Sequence, residues 1–230
     1  MSKEEQVKEW LNFKETVFIA RDGNDKAQIA AAKKLGLIRQ LGTGIYTGDL
    51  YTNIDNLITS NIWDIISLAF GVSIISRRSA LFSGMTVDNS IEITEYNNKK
   101  STSVGKLKIV TLKGPPPLED DTLMAENIYI ASPARFIVEF AIYLCENRRL
   151  PKTKRAQLIS EVHDWMNKKY DPSMILQIED LNIRSKVLLH EHFYNFCADI
   201  SEVIDILGQL LNFKPTPKPT KLTEDDLKFL

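Results

Sequence analysis

The spacing of apolar residues changes period several times along the chain, and each change marks an element. From Glu4 to Phe13, Val7, Trp10 and Leu11 recur three and four apart, with Phe13 a further candidate for the same face, which predicts an amphipathic helix. Val17-Phe18-Ile19-Ala20 reads as a short strand, followed by the turn-prone Asp22-Gly23-Asn24-Asp25. Asp25 is expected to cap a second helix running through Leu35, with Ala27, Ile29, Ala30 and Leu35 on its core face and Gly36 as the terminating glycine. Leu37 to Leu41 and Ile45 to Thr47 flank Gly42-Thr43-Gly44, which predicts a β-hairpin. Helix, glycine turn and hairpin together make the second half of a winged helix.

Beyond Asn53 the pattern lengthens. Ile54 to Ala69 reads as one long apolar helix, Ile74-Ile75-Ser76 as a short strand, and Arg77 to Ser83 as the start of another helix. Ile91 to Thr94 and Leu107 to Leu112 alternate as half-buried strands do. Gly114-Pro115-Pro116-Pro117 breaks the sheet, Ile128 to Ile130 adds a strand, and Ser132-Pro133 is a strong helix start. Ile137, Phe140, Ala141 and Leu144 then line one helical face. Three further stripes follow: Leu158/Ile159/Val162/Trp165/Met166, Ile175/Ile178/Leu181, and Phe196/Ile200/Val203/Ile204/Leu207/Leu211. The predicted fold class is α+β: a winged-helix-like unit over residues 1–50, then a mixed α/β body over 51–212 that ends in a helical bundle. Alternate prolines at 215, 217 and 219 predict an extended linker over 213–222. Thr223 and Asp226 then read as the N-cap and third position of a helix over 223–230 that opens a further domain.

Composition narrows the function classes. In 230 residues, 43% hydrophobic and 26% charged side chains are ordinary for a globular protein with ample core. A formal net charge of −1 provides no overall field for nucleic acid or membrane, and eight Lys/Arg balance eight Asp/Glu in the first sixty residues. With a charged N-terminus, no apolar run of spanning length and two cysteines inside helical patterns, a cytoplasmic setting is expected. No phosphate loop, nucleophile elbow, dinucleotide fingerprint or C-x-x-C pair occurs, so no catalytic residue and no cofactor are expected. His190-Glu191-His192 has its histidines two apart, on different faces of a helix, where a zinc helix needs them four apart. Glu119-Asp120-Asp121 reads as a solvated loop in preference to a cation site, and no metal is expected.

Two basic groupings remain. Lys26, Gln28, Lys33 and Lys34 on the second helix, Arg39 on the hairpin and Thr43 at its tip occupy the positions with which a winged helix meets DNA. Lys33, Lys34 and Arg39 suit phosphates, and Gln28 suits a base edge. A solvated helix face is the other reading of the same lysines. Arg148, Arg149, Lys152, Lys154 and Arg155, with no acidic residue between Glu146 and Glu161, form a basic loop suited to an acidic partner, or simply a solvated one.

Three stretches, Lys34 to Thr47, Ile75 to Met85 and Ile130 to Arg135, resemble the AbiEi family of bacterial antitoxins and related transcriptional regulators. That resemblance implies an N-terminal winged helix on operator DNA and a body that supports toxin neutralisation. The chain differs from the family in having one helix directly before the wing, and in Arg77 where histidine is common. Gly114 to Asp121, with the helical region and proline spacer after it, resembles the region preceding the catalytic domain in some Fic-family proteins, which transfer AMP to hydroxyl side chains. The H-P-F-x-[DE]-G-N-G-R signature is absent, so no transferase activity is implied for these residues. The expected function is a regulatory DNA-binding or antitoxin-type module, itself non-catalytic, whose partners are operator DNA and a toxin or a downstream Fic domain. A homodimer is compatible with a palindromic operator. The other reading is a protein-interaction domain that does not bind DNA and presents or restrains a downstream catalytic domain.

Overall fold

The computed structural model describes residues 2–81, 84–86, 88–97, 100–169 and 175–212, with backbone only at 175–178. The linker expected at 213–222 and the helix start at 223–230 lie outside these residues. Contacts divide the chain into two compact units, Met1–Phe136 and Ile137–Leu230.

The fold is mixed α+β. In chain order the first unit holds α1 (Lys3–Asn12), β1 (Phe18–Ile19), α2 (Gly23–Lys34), β2 (Arg39–Gly42), β3 (Ile45–Thr47), α3 (Ile54–Ser60) and α4 (Ile62–Phe70). These are followed by β4 (Ser73–Ile75), α5 (Arg77–Leu81), β5 (Ser90–Glu95), β6 (Thr102–Val104), β7 (Leu107–Lys113), β8 (Thr122–Ala125) and β9 (Ile128–Ile130). All the strands join one sheet in the order β1-β3-β2-β6-β7-β5-β4-β9-β8. Pairing is antiparallel except for β4 with β9 and β5 with β7. The hairpin β2–β3 is tied to the rest through β6, where Gly42 pairs with Val104.

Side-chain alternation sends this sheet into two cores. Val17, Leu41 and Ile45 join the larger one, with Leu57, Ile58, Ile65 and Ile66 of α3 and α4 and Ile75, Ile91, Ile93 and Ile109 of the central strands. Phe18 and Ile38 point the other way, into a smaller cluster with Val7, Ile29 and Ala32, against which Trp10, Leu11 and Tyr46 pack. Each buried Ile or Phe is worth about 1.5–3 kcal/mol over its exposed state. The first fifty residues thus share a sheet and a core with the residues up to 136.

Several boundaries differ from the sequence reading. The single helix expected over 54–69 breaks at Asn61. The hydroxyls of Thr59 and Ser60 donate to the carbonyls of Asp55 and Asn56, and Asn61 Nδ2 donates to the Leu57 carbonyl. Such side-chain bonds compete with the helical ladder. Strands β6 and β8 are too short to show alternation, and the sequence reading misses both. At the β6–β7 turn Gly105 has φ +55°, and a Cβ there would meet Ile58 Cδ1 at 2.5 Å.

A buried ion pair closes the first unit. Arg135, in the first turn of α6 (Pro133–Glu146), and Asp121 have fully buried side chains and meet at 2.7 Å. Arg135 also donates to the carbonyls of Pro116 at 2.9 Å and Pro115 at 2.8 Å. Asp121 accepts from the backbone N–H groups of Leu118 and Ser132. The proline segment is therefore held by charge-assisted bonds that satisfy its backbone. Gly114 is required beside it, because a Cβ would collide with Thr94 Cγ2. Asp121, read above as part of a solvated acidic loop, is instead inside.

The second unit is helical: most of α6, then α7 (Lys152–Lys169), α8 (Ile175–Leu188) and α9 (Ile200–Leu211), with a π-helical turn at Leu189–Phe193 and a 3-10 turn at Tyr194–Phe196. In α9 the buried face is Val203, Ile206, Leu207, Leu210 and Leu211, whereas Ile204 is exposed. No helix of the described residues is long and apolar enough to cross a membrane. Because removing one partner of a buried pair strands the other charge, Arg135→Met is expected to cost about 3–5 kcal/mol in urea unfolding. A loss below about 1 kcal/mol would show that the pair does not hold this unit together.

Candidate nucleic-acid interface

Helix α2 owes its placement to two aspartates with different tasks. Asp22, in extended conformation, is the N-cap, and its carboxylate accepts the Asp25 N–H at 2.8 Å. Asp25, expected to cap, is turned inward instead. Its Oδ1 accepts from Lys14 Nζ at 2.8 Å and Trp10 Nε1 at 3.0 Å, and its Oδ2 accepts from the Arg21 N–H at 3.0 Å. The Lys14 hydrogen bond, aided by Arg21 and Trp10 and opposed by burial, holds its pKa down to about 2. Lys14 also lies over the Trp10 ring at 4.9 Å, and Trp10 meets Phe18 edge-on at 5.7 Å. This joins α1, β1 and α2 at one point. At its other end α2 stops before Gly36, as expected, with φ +68°.

With its orientation set, α2 buries Asp25, Ile29 and Ala32. Ala27 and Ala30, expected in the core, are exposed, together with Lys26, Lys33 and Lys34. Gln28 is half-buried. It lies two residues from Ala30, about 160° around the helix, so it does not share the lysine face. Lys33 reaches across to Gln40 Oε1 at 3.1 Å and lies over the Tyr46 ring at 5.7 Å. Arg39 is committed elsewhere: its Nε donates to the Asp49 carbonyl at 2.7 Å and its Nη2 to the Thr52 carbonyl at 2.6 Å. It stitches the chain leaving the hairpin and is not presented to solvent as a phosphate contact would be. Thr43 is exposed at the hairpin tip, beside Gly44 with φ +77°. Of the six residues picked from sequence, Lys26 and Thr43 line one groove, Lys34 is exposed at the other end of α2, Lys33 leans on the hairpin, and Gln28 and Arg39 point away.

The second basic grouping is partly engaged within its own unit. Only 147–151 is a loop, since Lys152, Lys154 and Arg155 already belong to α7. Arg148 pairs with Asp199 at 3.0 Å and Glu202 at 2.7 Å, and Arg155 approaches Glu202 at 3.7 Å. These arginines cross-link the α6–α7 corner to the start of α9. Arg149, Lys152 and Lys154 remain exposed.

Other chemistry-bearing residues do not assemble into a site. His190 and His192 fall in the π-helical turn, and His163 Nε2 lies 3.2 Å from the Leu210 carbonyl. No group of three or more His, Cys, Asp or Glu side chains able to hold a metal occurs among the described residues. Both cysteines are free thiols. Burial pushes Cys197 up to about 11 and also raises Cys145, so neither is a ready thiolate.

Because Asp25 has a folded pKa below the ordinary 3.8, its contribution to stability is present above about pH 4 and lost as pH falls toward 2. Asp25→Asn is therefore expected to flatten the acid limb of stability when urea midpoints are followed from about pH 5 down to about pH 2. An acid limb as steep as the wild type's would show that another carboxylate carries it. No protein-family model matches the chain, and no curated protein sequence does either.

Proposed function

We propose that the first unit binds DNA through α2 and the β2–β3 hairpin, as the winged-helix-like module of a regulatory, antitoxin-type protein that is not itself an enzyme. The observation that carries this reading is the outward face of α2. Lys26, Ala27, Ala30, Lys33 and Lys34 are exposed there, and the one acidic residue of the helix, Asp25, is buried. Two alanines let the helix backbone come close to a duplex, and the lysines around them supply charge for phosphates.

Element order supports the same reading. Helix, strand, helix and hairpin follow one another, and β1 lies on the outer side of β3 in the order β1-β3-β2. With one helix between β1 and β2, phosphate contacts and groove shape outweigh base-edge reading. The antitoxin role, and a toxin or a downstream Fic domain as partner, rest on the motif resemblances alone. A cytoplasmic setting accompanies DNA binding. The alternative, a protein-interaction domain, would use the exposed Arg149, Lys152 and Lys154, with Arg148 and Arg155 already engaged by Asp199 and Glu202.

The test is a salt titration with duplex DNA. Since Lys33 is drawn toward Gln40, the informative double variant is Lys26→Ala with Lys34→Ala. Its slope of log affinity against log salt is expected to fall by about 2, at ~0.9 for each lost phosphate contact. A slope equal to that of the wild type would overturn the assignment of α2.

A further inference from the structure

The groove that Lys26 and Thr43 share is completed from a distant part of the sequence. It is an open cavity of about 500 Å3, and its lining includes Lys26 of α2, Thr43 at the hairpin tip, Tyr46 of β3, Leu68 of α4, Lys100, and Thr102 of β6. Pairing of Gly42 with Val104 brings β6 alongside β2, and so brings Lys100 and Thr102 to the hairpin. Two features of the lining are informative. Among the described residues that line it, both charged side chains are lysines and none is a carboxylate, although the chain as a whole carries 30 acidic residues against 29 basic ones. The two aspartates at the start of α2 are engaged within the chain: Asp22 caps the helix, and Asp25 is turned toward Lys14 and Trp10.

A groove with cations and hydroxyls among its lining and an otherwise apolar surface matches the chemistry of a sugar–phosphate backbone. Lysine ammonium groups neutralise phosphates, threonine hydroxyls donate to phosphate oxygens, and the carbon face of deoxyribose suits the apolar part. A small ordinary anion would use the lysines but not the apolar length. We infer that Lys100 and Thr102 extend the DNA-binding surface beyond the winged-helix segment, with one strand's backbone laid along this groove between α2 and β6. The occupant is DNA, and the inference rests on the DNA-binding reading above.

This surface is not visible from any one stretch of sequence. Lys100 lies in the polar run Asn97-Asn98-Lys99-Lys100-Ser101, with no apolar period to place it. The β2–β6 pairing is what makes residues 26, 43, 100 and 102 neighbours of one cavity. That pairing also keeps the hairpin attached to the sheet, so the groove has two fixed sides and is not the flank of a free wing.

The experiment uses the full chain, a mixed-sequence duplex of about 25 base pairs, and anisotropy titrations between about 50 and 200 mM salt. Lys100→Ala is expected to weaken binding roughly threefold to tenfold and to lower the salt slope by about 1, and Lys100→Arg to restore the slope. Lys100 is exposed, so an unchanged thermal midpoint should accompany the loss. Lys100→Gln, which keeps the side-chain length, gives the same reading if the alanine variant folds poorly. If Lys100→Ala and Lys100→Gln titrate like the wild type while the Lys26/Lys34 double variant loses slope, the extension to β6 is overturned and the α2 reading stands. If the wild type shows no salt-dependent binding, both are overturned.

Discussion

The period-two alternation of three very short strands is the constraint on which the N-terminal part of this protein depends. In β1, β2 and β3 neighbouring side chains serve opposite faces: Leu41 and Ile45 face α3 and α4, whereas Phe18 and Tyr46 face α1 and α2. Strands of two to four residues cannot hold a sheet by themselves. They persist because both faces are covered, and because Gly42 joins them to β6. Moving the register by one residue would exchange the two sets and expose both. The position of α2, and with it the proposed DNA contact, is thus set by the same alternation that builds the larger core.

The cations of this chain divide by chemistry. Several arginines point inward or bridge elements: Arg135 pins the proline segment, Arg39 holds the exit of the hairpin, and Arg148 and Arg155 bind the start of α9. Their planar, multi-donor heads suit carbonyls and carboxylates held at fixed geometry. Lysines at 26, 34 and 100 keep their ammonium groups in water, where a polyanion can reach them. Lys14, by contrast, is drawn onto Asp25 and orients α2. Charge along the sequence does not record this difference: Arg39, Arg148 and Arg155 read there as ligand contacts, and the fold also engages them within the chain.

Much of the fold was legible from the chain because local chemistry and tertiary packing agreed. Gly36 after α2, the hairpin around Gly42-Thr43-Gly44, and Ser132-Pro133 at the start of α6 carry signals that need no distant partner. Legibility failed where side chains compete with the backbone or where elements are short. Thr59, Ser60 and Asn61 break an apolar helix through bonds that hydropathy does not record. Strands β6 and β8 are too brief to show a period.

The sequence by itself determined the kinds of most elements and most of their ends, since propensity, capping and turn chemistry act within a few residues. Tertiary structure alone decided which faces those elements show. It turned Asp25 inward, put Ala27 and Ala30 outside, buried Asp121 against Arg135, and brought Lys100 beside Thr43 across more than fifty residues of chain. The reason is physical: a helix or strand pattern specifies that one face must be buried, whereas which partner covers it, and which polar groups that burial draws in, depends on contacts remote in sequence.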